Sequence, residues 1–172
     1  MYRKILYCIV GLCCFYSAQA NSTIDSLKKE LKAHPEPGEA RFELLARIQV
    51  LYMNASQVQD AIATSDSWLK EAIGLGDTEV IADAYISRVG MFTLARRYKD
   101  GQATALRESM AELLALLPEV QDTMLTARAY SALGGASWNF EEYETAIGQL
   151  NKAVELLEGR RTLEEICNAL NS

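Results

Sequence analysis

The sequence predicts an all-α fold in which pairs of helices repeat along the chain. Three observations support this expectation. From Ser22 onward the chain is rich in Ala, Leu, Glu and Lys, and its apolar residues fall three and four positions apart, the period of an α-helix. No pair of alternating apolar and polar runs around a tight turn indicates a β-hairpin. Finally, the same residue types recur at a fixed offset, which is typical of stacked structural repeats.

The composition is that of a globular domain with a substantial core. The chain has 172 residues, of which 49% are hydrophobic and 23% charged, with 10 glycines and 3 prolines. These values exclude collagen-like, low-complexity and intrinsically disordered chains. The formal net charge of -6 argues against a surface built to neutralise nucleic-acid phosphates or to sit on anionic lipid. We therefore expect no nucleic-acid partner and no insertion of the repeat region into a membrane.

Residues 1–20 have the pattern of a Sec-type signal peptide. Arg3 and Lys4 precede an uncharged apolar run over residues 5–16, and Ala18-Gln19-Ala20 supplies the small residues of a cleavage site. The run is shorter than the 20 or so residues that span a bilayer, so an uncleaved anchor is the weaker alternative. We expect cleavage after Ala20 and export, to the periplasm if the source is bacterial.

Residues 21–38 are predicted to form an N-terminal capping helix followed by a linker. Ile24, Leu27 and Leu31 fall on one helical stripe, with lysines and acids elsewhere. A repeat at the end of a stack exposes an apolar face, so a helix of this kind is expected to cover the first repeat. The residues His34 to Gly38 contain two prolines and a glycine, which end the helix.

A helix pair recurs three times after this cap. An offset of 45 residues maps Ala82 to Ala127, Tyr85 to Tyr130, Tyr98 to Tyr143 and Gly101 to Ala146, and an offset of 40 residues maps Phe92 back to Tyr52. The predicted repeat domain covers residues 39–172, with repeats at about 42–77, 78–118 and 119–160 and a truncated fourth repeat at 162–172. Cys167 and Leu170 belong to that fourth repeat, which suggests a chain that continues.

Within each pair, one small residue is expected where the two helix backbones approach most closely. The predicted contacts are Gly134 with Ala146, Val89 with Gly101, and Gln49 with Ala61. A glycine inside a helix costs about 1 kcal/mol relative to alanine, so Gly101 and Gly134 are expected to have a packing reason. Aromatic residues at repeat positions are interpreted first as core; they are Phe42, Tyr52, Tyr85, Phe92, Tyr98, Tyr130 and Tyr143.

The third repeat carries a resemblance to a known family. Ala127, Tyr130, Leu133 and Gly134, followed by Tyr143, Ala146, Leu150 and Ala153, resemble the tetratricopeptide repeat in residue type and spacing. The second copy departs from that pattern, with Arg88 and Val89 where the family has Leu-Gly. The resemblance implies a right-handed α-α superhelix, and the long repeat spacing is similar to that in exported sensory regions of bacterial signalling proteins.

The resemblance also implies a concave wall built by the first helix of each pair. Family positions assign to this wall Glu43, Arg47, Val50, Met53, Asn54, Asp83, Ile86, Gly90, Thr93, Leu94, Arg128, Ser131, Gly135, Trp138 and Asn139. The Lys/Asn clamp with which some family members hold a terminal carboxylate is absent. The candidate ligand-binding groove is therefore formed by Arg47, Asn54, Thr93, Arg128, Trp138 and Asn139, with Trp138 as anchor. Packing of Trp138 against the adjoining helix is the alternative.

The residue inventory argues against an enzyme. His34 is the only histidine and stands beside a proline turn, and Cys167 is the only cysteine after residue 20. A His/Cys zinc site, a HExxH motif, a GxSxG motif and a phosphate-binding glycine loop are all missing. We expect no catalytic residues, no metal and no cofactor.

Two functions therefore remain as hypotheses. The first is the exported sensory or interaction region of a bacterial membrane signalling protein, tethered by a segment beyond residue 172. The second is a free periplasmic scaffold or adaptor for an assembly or secretion complex. Both bind a protein or peptide in the groove, and neither predicts an oligomeric state. A membrane span of about 20 apolar residues after Ser172 would favour the first.

Overall fold

A computed structural model describes residues 21–95 and 101–158 of the chain. These residues form seven α-helices and no strand: α1 at 21–33, α2 at Glu39–Asn54, α3 at Val58–Leu75, α4 at Thr78–Ala95, α5 at Gln102–Leu116, α6 at Thr123–Asn139 and α7 at Tyr143–Leu157. A 3-10 turn, Leu117–Glu119, follows α5. The expectation of an all-α fold is confirmed. Among the described helices, none is both long and apolar enough to cross a bilayer.

The chain divides into two compact units, Met1–Thr64 and Ser65–Ser172, with the boundary inside α3. In the first unit, α1 buries Ile24 and Leu27, and Leu31 is half-buried. The Arg41 side chain on α2 donates to the Leu31 and His34 carbonyl oxygens at 3.1 and 2.9 Å. These bonds satisfy carbonyl groups at the end of α1 that have no partner within the helix. They fix where α1 ends relative to α2.

In the second unit, α4 packs against α5 and α6, and α6 packs against α7. The buried surfaces of these helices are rich in alanine: Ala82, Ala84, Ala127, Ala129, Ala136, Ala146 and Ala153 are almost inaccessible to solvent. Small side chains allow neighbouring helix backbones to approach closely. The helices are therefore packed in adjacent pairs, which is compatible with a helical repeat.

The 45-residue offset reappears in the way two helices begin. Asp77 precedes α4, and its Oδ1 accepts from the backbone N–H groups of Glu79 and Val80 at 2.9 and 3.1 Å. Asp122 lies 45 residues later and caps α6 in the same way, accepting from Met124 and Leu125 at 2.7 and 3.2 Å. Both helices start at a threonine after an aspartate N-cap, so the repeat is present in the backbone as well as in the side chains.

The turns after α2 and α6 also share one geometry, 85 residues apart. In the first, the N–H groups of Ala55, Ser56 and Gln57 donate to the carbonyls of Leu51, Met53 and Tyr52. In the second, those of Phe140, Glu141 and Glu142 donate to Ala136, Trp138 and Ser137. Ser56 and Glu141 both have positive φ, at 60° and 61°. The α2–α3 and α6–α7 hairpins are thus closed by the same three-residue turn.

The predicted close approach in the third hairpin is confirmed, and the prediction for the second is wrong. A Cβ at Gly134 would lie 2.7 Å from Leu150 Cγ and 3.3 Å from the Ala146 carbonyl oxygen, so a larger residue would force Leu150 and the α7 backbone to move. A Cβ at Gly101 would meet no atom within 4 Å. Gly101 precedes α5 and has φ 82°, a left-handed conformation that glycine adopts at little cost. Its role is conformational. Gln49 and Ala61 are both buried.

Most of the aromatic residues assigned to the core are in it, with one correction. Phe42, Tyr52 and Phe92 are buried, and Tyr85 and Tyr130 are half-buried. Tyr143 is instead 48% exposed, because it is the first residue of α7 and lies outside the line along which α6 and α7 pack. Other predictions lie outside the described residues: the signal peptide at 1–20, the placement of Tyr98 and Cys167, and the fourth repeat at 162–172.

Candidate functional site

Four of the six predicted groove residues lie in the second unit, on α4 and α6. We call this surface the α4–α6 wall; it consists of Asp83, Gly90, Thr93 and Leu94 on α4 and of Arg128, Ser131, Gly135, Trp138 and Asn139 on α6. Ile86, which was expected on the same surface, is buried. The wall exists because α4 and α6 pack side by side, each starting from its aspartate cap.

The end of the wall is held together by Thr93 and Asn139. Asn139 Nδ2 donates to the Thr93 carbonyl oxygen at 2.8 Å, which joins the last turn of α6 to the last turn of α4. A Cβ at Gly135 would stand 3.7 Å from Thr93 Cγ2, an ordinary van der Waals contact. The structure therefore brings Thr93, Gly135 and Asn139 together. Asn139 acts here as a tie between helices, a role that its place in the repeat did not reveal.

Trp138 stands beside this tie and is 56% exposed. Its ring meets that of Tyr143 edge to face, with centroids 5.0 Å apart and an angle of 67° between the planes. Such a contact is favourable and restricts the orientation of both rings. Trp138 thus packs on the adjoining helix through one edge and leaves more than half of its surface to solvent. Leu94, next to Thr93, is also exposed.

Arg128 lies further along the wall and forms an ion pair with Asp83. Arg128 Nη2 is 3.1 Å from Asp83 Oδ1, and both side chains are about one-third exposed. The contact is an ion pair without good hydrogen-bond alignment, since Asp83 Oδ1 is buried and receives no aligned donor. Burial raises the pKa of the Asp83 carboxyl above its ordinary value, and the Arg128 charge partly offsets that rise. The positive charge of Arg128 is therefore matched within the wall.

The floor of the wall between Arg128 and Trp138 is made of small residues. Gly90, Ser131 and Gly135 are all partly exposed, and the space above Gly90 is open to at least 4 Å. A surface of small residues between an ion pair and an exposed tryptophan leaves room for bulky side chains from another molecule.

Arg47 and Asn54, the other two predicted groove residues, lie on α2 in the first unit. Both are exposed, and Asn54 is the last residue of its helix, directly before the turn that contains Ser56. Asn54 and Asn139 end their helices before identical turns, so their equivalence in the repeat is confirmed at the level of the backbone. The structure places these two residues and the four residues of the wall in separate units.

Arg88 is an organising residue that the sequence pattern did not reveal. Arg88 Nε donates to Asp66 Oδ1 at 2.7 Å, while Nη1 donates to the Ala105 carbonyl oxygen at 3.2 Å and to Ser109 Oγ. Its guanidinium also stands over the Phe92 ring, 5.0 Å from the centroid. The sequence contains one indication of this role, since Arg88 stands where the tetratricopeptide pattern has leucine. This polar centre, hereafter the Arg88 cluster, joins α3, α4 and α5.

The chain matches no family model, no curated protein and no solved structure. The class of protein is therefore defined by the fold alone, an all-α chain of adjacent helix pairs with repeated caps and turns.

Proposed function

We propose that this chain is an exported helical-repeat domain that binds a segment of another protein or a peptide on the α4–α6 wall. The observation that carries the proposal is Trp138, a large aromatic side chain left mostly in solvent although its backbone belongs to a well-packed hairpin. Exposed tryptophan is costly to leave in water and is enriched among residues that dominate binding energy.

The chemistry of the wall indicates what kind of segment it accepts. Trp138 and Leu94 offer apolar contact, and the small floor residues offer space for a bulky side chain. The Asp83–Arg128 pair offers both an acceptor and a donor, since neither group is fully enclosed by the other. A segment with one large apolar residue and a polar backbone or side-chain group nearby fits this arrangement.

The finer architecture is part of the same proposal. We infer that the hairpins stack into the right-handed superhelix of the tetratricopeptide repeat, supported by the Asp77 and Asp122 caps at one offset and the identical turns after α2 and α6. The chain is proposed to act as the sensory or interaction region of a bacterial membrane signalling protein in the periplasm. This assignment is supported by the sequence of residues 1–20 and by the resemblance of the third repeat.

A peptide-display selection tests the binding site. Random peptides displayed on phage are panned on the wild-type chain, and the dissociation constants of enriched peptides are measured against Trp138→Ala. We expect binding to weaken by about 30-fold, which corresponds to a loss of about 2 kcal/mol. Leu114→Ala is the matched control, because Leu114 is a similarly exposed apolar residue on α5, outside the wall.

Two results would contradict the proposal. Either no peptide would be enriched over an unrelated helical protein, or Trp138→Ala and Leu114→Ala would bind the enriched peptides equally well. Thermal unfolding of Leu114→Ala should match that of the wild type, and Trp138→Ala should lose only the small stabilisation of its edge-to-face contact with Tyr143.

A further inference from the structure

A side chain from α5 contacts both ends of the turn between α6 and α7. This turn, residues 140–142, directly follows the end of α6 that carries Trp138. Arg107 Nη1 donates to Glu142 Oε1 at 2.8 Å. The Arg107 guanidinium also stands over the Phe140 ring, with its central carbon 3.9 Å from the ring centroid. One guanidinium therefore joins α5 to the first and the last residue of the α6–α7 turn.

The backbone of this turn has a conformation that needs such support. Glu141 has φ 61°, in the left-handed region that residues other than glycine rarely adopt. Its N–H group donates to the Trp138 carbonyl oxygen at 3.0 Å, and the N–H group of Glu142 donates to that of Ser137 at 3.0 Å. The two contacts of Arg107 fall on the residues either side of Glu141, so they favour this conformation over its alternatives.

The equivalent turn after α2 is supported in a similar way. Gln57 stands in the place of Glu142, and its Nε2 donates to Asn21 Oδ1 on α1 at 3.3 Å. In both hairpins, the residue that follows the positive-φ position therefore bonds to a side chain from a third helix. A contact of this kind is a repeated feature of the described part of the chain.

We propose that Arg107 is a positioning residue that orients the rings of Trp138 and Tyr143 for ligand binding from outside the α4–α6 wall. This inference rests on the function proposed above. Tyr143 directly follows Glu142, and the Trp138 carbonyl is bonded to the turn, so a change in the turn moves both rings. Rings that are already oriented lose less conformational entropy when a ligand binds.

The substitution Arg107→Met tests this role. Peptides from the display selection should bind the variant about fivefold more weakly, because the rings must then be ordered on binding. In the free chain, the tryptophan fluorescence anisotropy should gain a larger nanosecond component from Trp138. Trp68 is only 5% exposed, so its slow contribution should be the same in every variant. Lys152→Met is the matched control, because it removes the same charge from an exposed ion pair, with Glu155.

Two further variants separate the contacts of Arg107 from its charge. Arg107→Lys keeps the charge but not the planar guanidinium, so it should recover only part of the lost affinity. Glu142→Gln should weaken binding, and Arg107→Met combined with Glu142→Gln should bind no worse than Arg107→Met alone, because the two residues act as one pair. Losses that multiply in the double variant would contradict the inference.

Two other results would overturn it. In the first, Arg107→Met and Lys152→Met have the same anisotropy decay, which would show that Arg107 does not restrict the rings. In the second, Trp138 moves more freely in Arg107→Met but the peptides bind as tightly as to the wild type. Failure of the display selection would instead contradict the proposed function, and the anisotropy decay of the free chain would then decide the inference alone.

Discussion

The hairpins α4–α5 and α6–α7 are related by the 45-residue offset of the sequence, and they are held together by different chemistry. In α6–α7 the contact is apolar: Gly134 lets Leu150 and the backbone of Ala146 approach, and Leu133 is buried beside it. In α4–α5 the residue equivalent to Leu133 is Arg88, whose side chain is only 17% exposed and is surrounded by Asp66, Ser109 and the Ala105 carbonyl.

The difference shows that the same arrangement of two helices can be stabilised either by apolar packing, as in α6–α7, or by a buried polar cluster, as in α4–α5. A guanidinium can replace a leucine in a half-buried place when a carboxylate, a hydroxyl and a carbonyl oxygen are all within hydrogen-bond distance. A glycine, in turn, serves packing in one hairpin and backbone conformation in the other. Substitutions in the two hairpins should therefore fail for different reasons and by different amounts.

The largest effect is expected at the close approach in α6–α7. Gly134→Val places side-chain atoms where Leu150 and the Ala146 carbonyl already stand, and should lower the free energy of unfolding by about 2–3 kcal/mol. Gly148→Val in the same hairpin is the control, since the space around Gly148 is open and valine there should cost nothing measurable. Urea unfolding monitored by circular dichroism distinguishes them. Equal stability of the two variants would show that the backbones do not meet at Gly134.

The Arg88 cluster should be the next most sensitive place. Arg88→Met keeps most of the side-chain volume but removes the donors to Asp66 and Ser109, and should cost about 2 kcal/mol. Arg107→Met is the control: Arg107 also pairs with a carboxylate, Glu142, at 2.8 Å, but its side chain is exposed, so the loss should stay below about 1 kcal/mol. If both variants lose the same amount, the cluster contributes no more than a surface ion pair.

Gly101 tests the conformational role of glycine before α5. Gly101→Ala forces a residue with a Cβ into the left-handed region and should cost about 1 kcal/mol, although the surrounding space is open. Gly101→Asn should recover part of this loss, because asparagine tolerates that conformation better than alanine. Melting temperatures in the order wild type, Asn variant, Ala variant are expected. An Ala variant as stable as the wild type would mean that φ is not positive at this position.

The smallest effect, and one that depends on pH, is expected at the Asp83–Arg128 pair. Arg128→Met removes the charge that opposes the burial-raised pKa of Asp83, so that pKa rises further in the folded state. The folded chain then binds more protons than the unfolded chain, and stability falls as pH rises through that pKa. The variant should match the wild type near pH 4 and lose about 1 kcal/mol at pH 7. Asp83→Asn in the same background should remove this pH dependence, whereas Arg47→Met should introduce none.

Much of the fold followed from local patterns in the sequence. Apolar spacing and turn residues predicted the all-α class, and the offset of 45 residues reappears in the Asp77 and Asp122 caps that begin α4 and α6. The contact of Gly134 followed from a simple steric argument. The same argument failed at Gly101, because α5 begins later than its counterpart α7 and leaves the glycine outside the helix. Periodicity in sequence does not reveal where a helix starts.

The side-chain pairs of the α4–α6 wall were less predictable than the fold, because each pair joins residues on two different helices. Sequence reasoning placed Asp83, Thr93, Arg128 and Asn139 on one surface but did not pair them. Pairing depends on how far α4 slides along α6, and a shift of one turn, about 5.4 Å, would bring other residues together. The exposure of Tyr143 was not predicted for a related reason. Tyr143 is the first residue of α7, and the sequence does not show that this position lies outside the line along which α6 and α7 pack.

The accessibility of Trp138 to a solvent quencher tests the central claim most directly. Trp68 is only 5% exposed, so iodide in the free chain should quench mainly the fluorescence of Trp138. Saturation with a display-selected peptide is expected to shield Trp138 and remove most of that quenching, while Leu114→Ala behaves like the wild type. A peptide that binds tightly while iodide quenching stays unchanged would contradict the assignment of the α4–α6 wall as the binding surface.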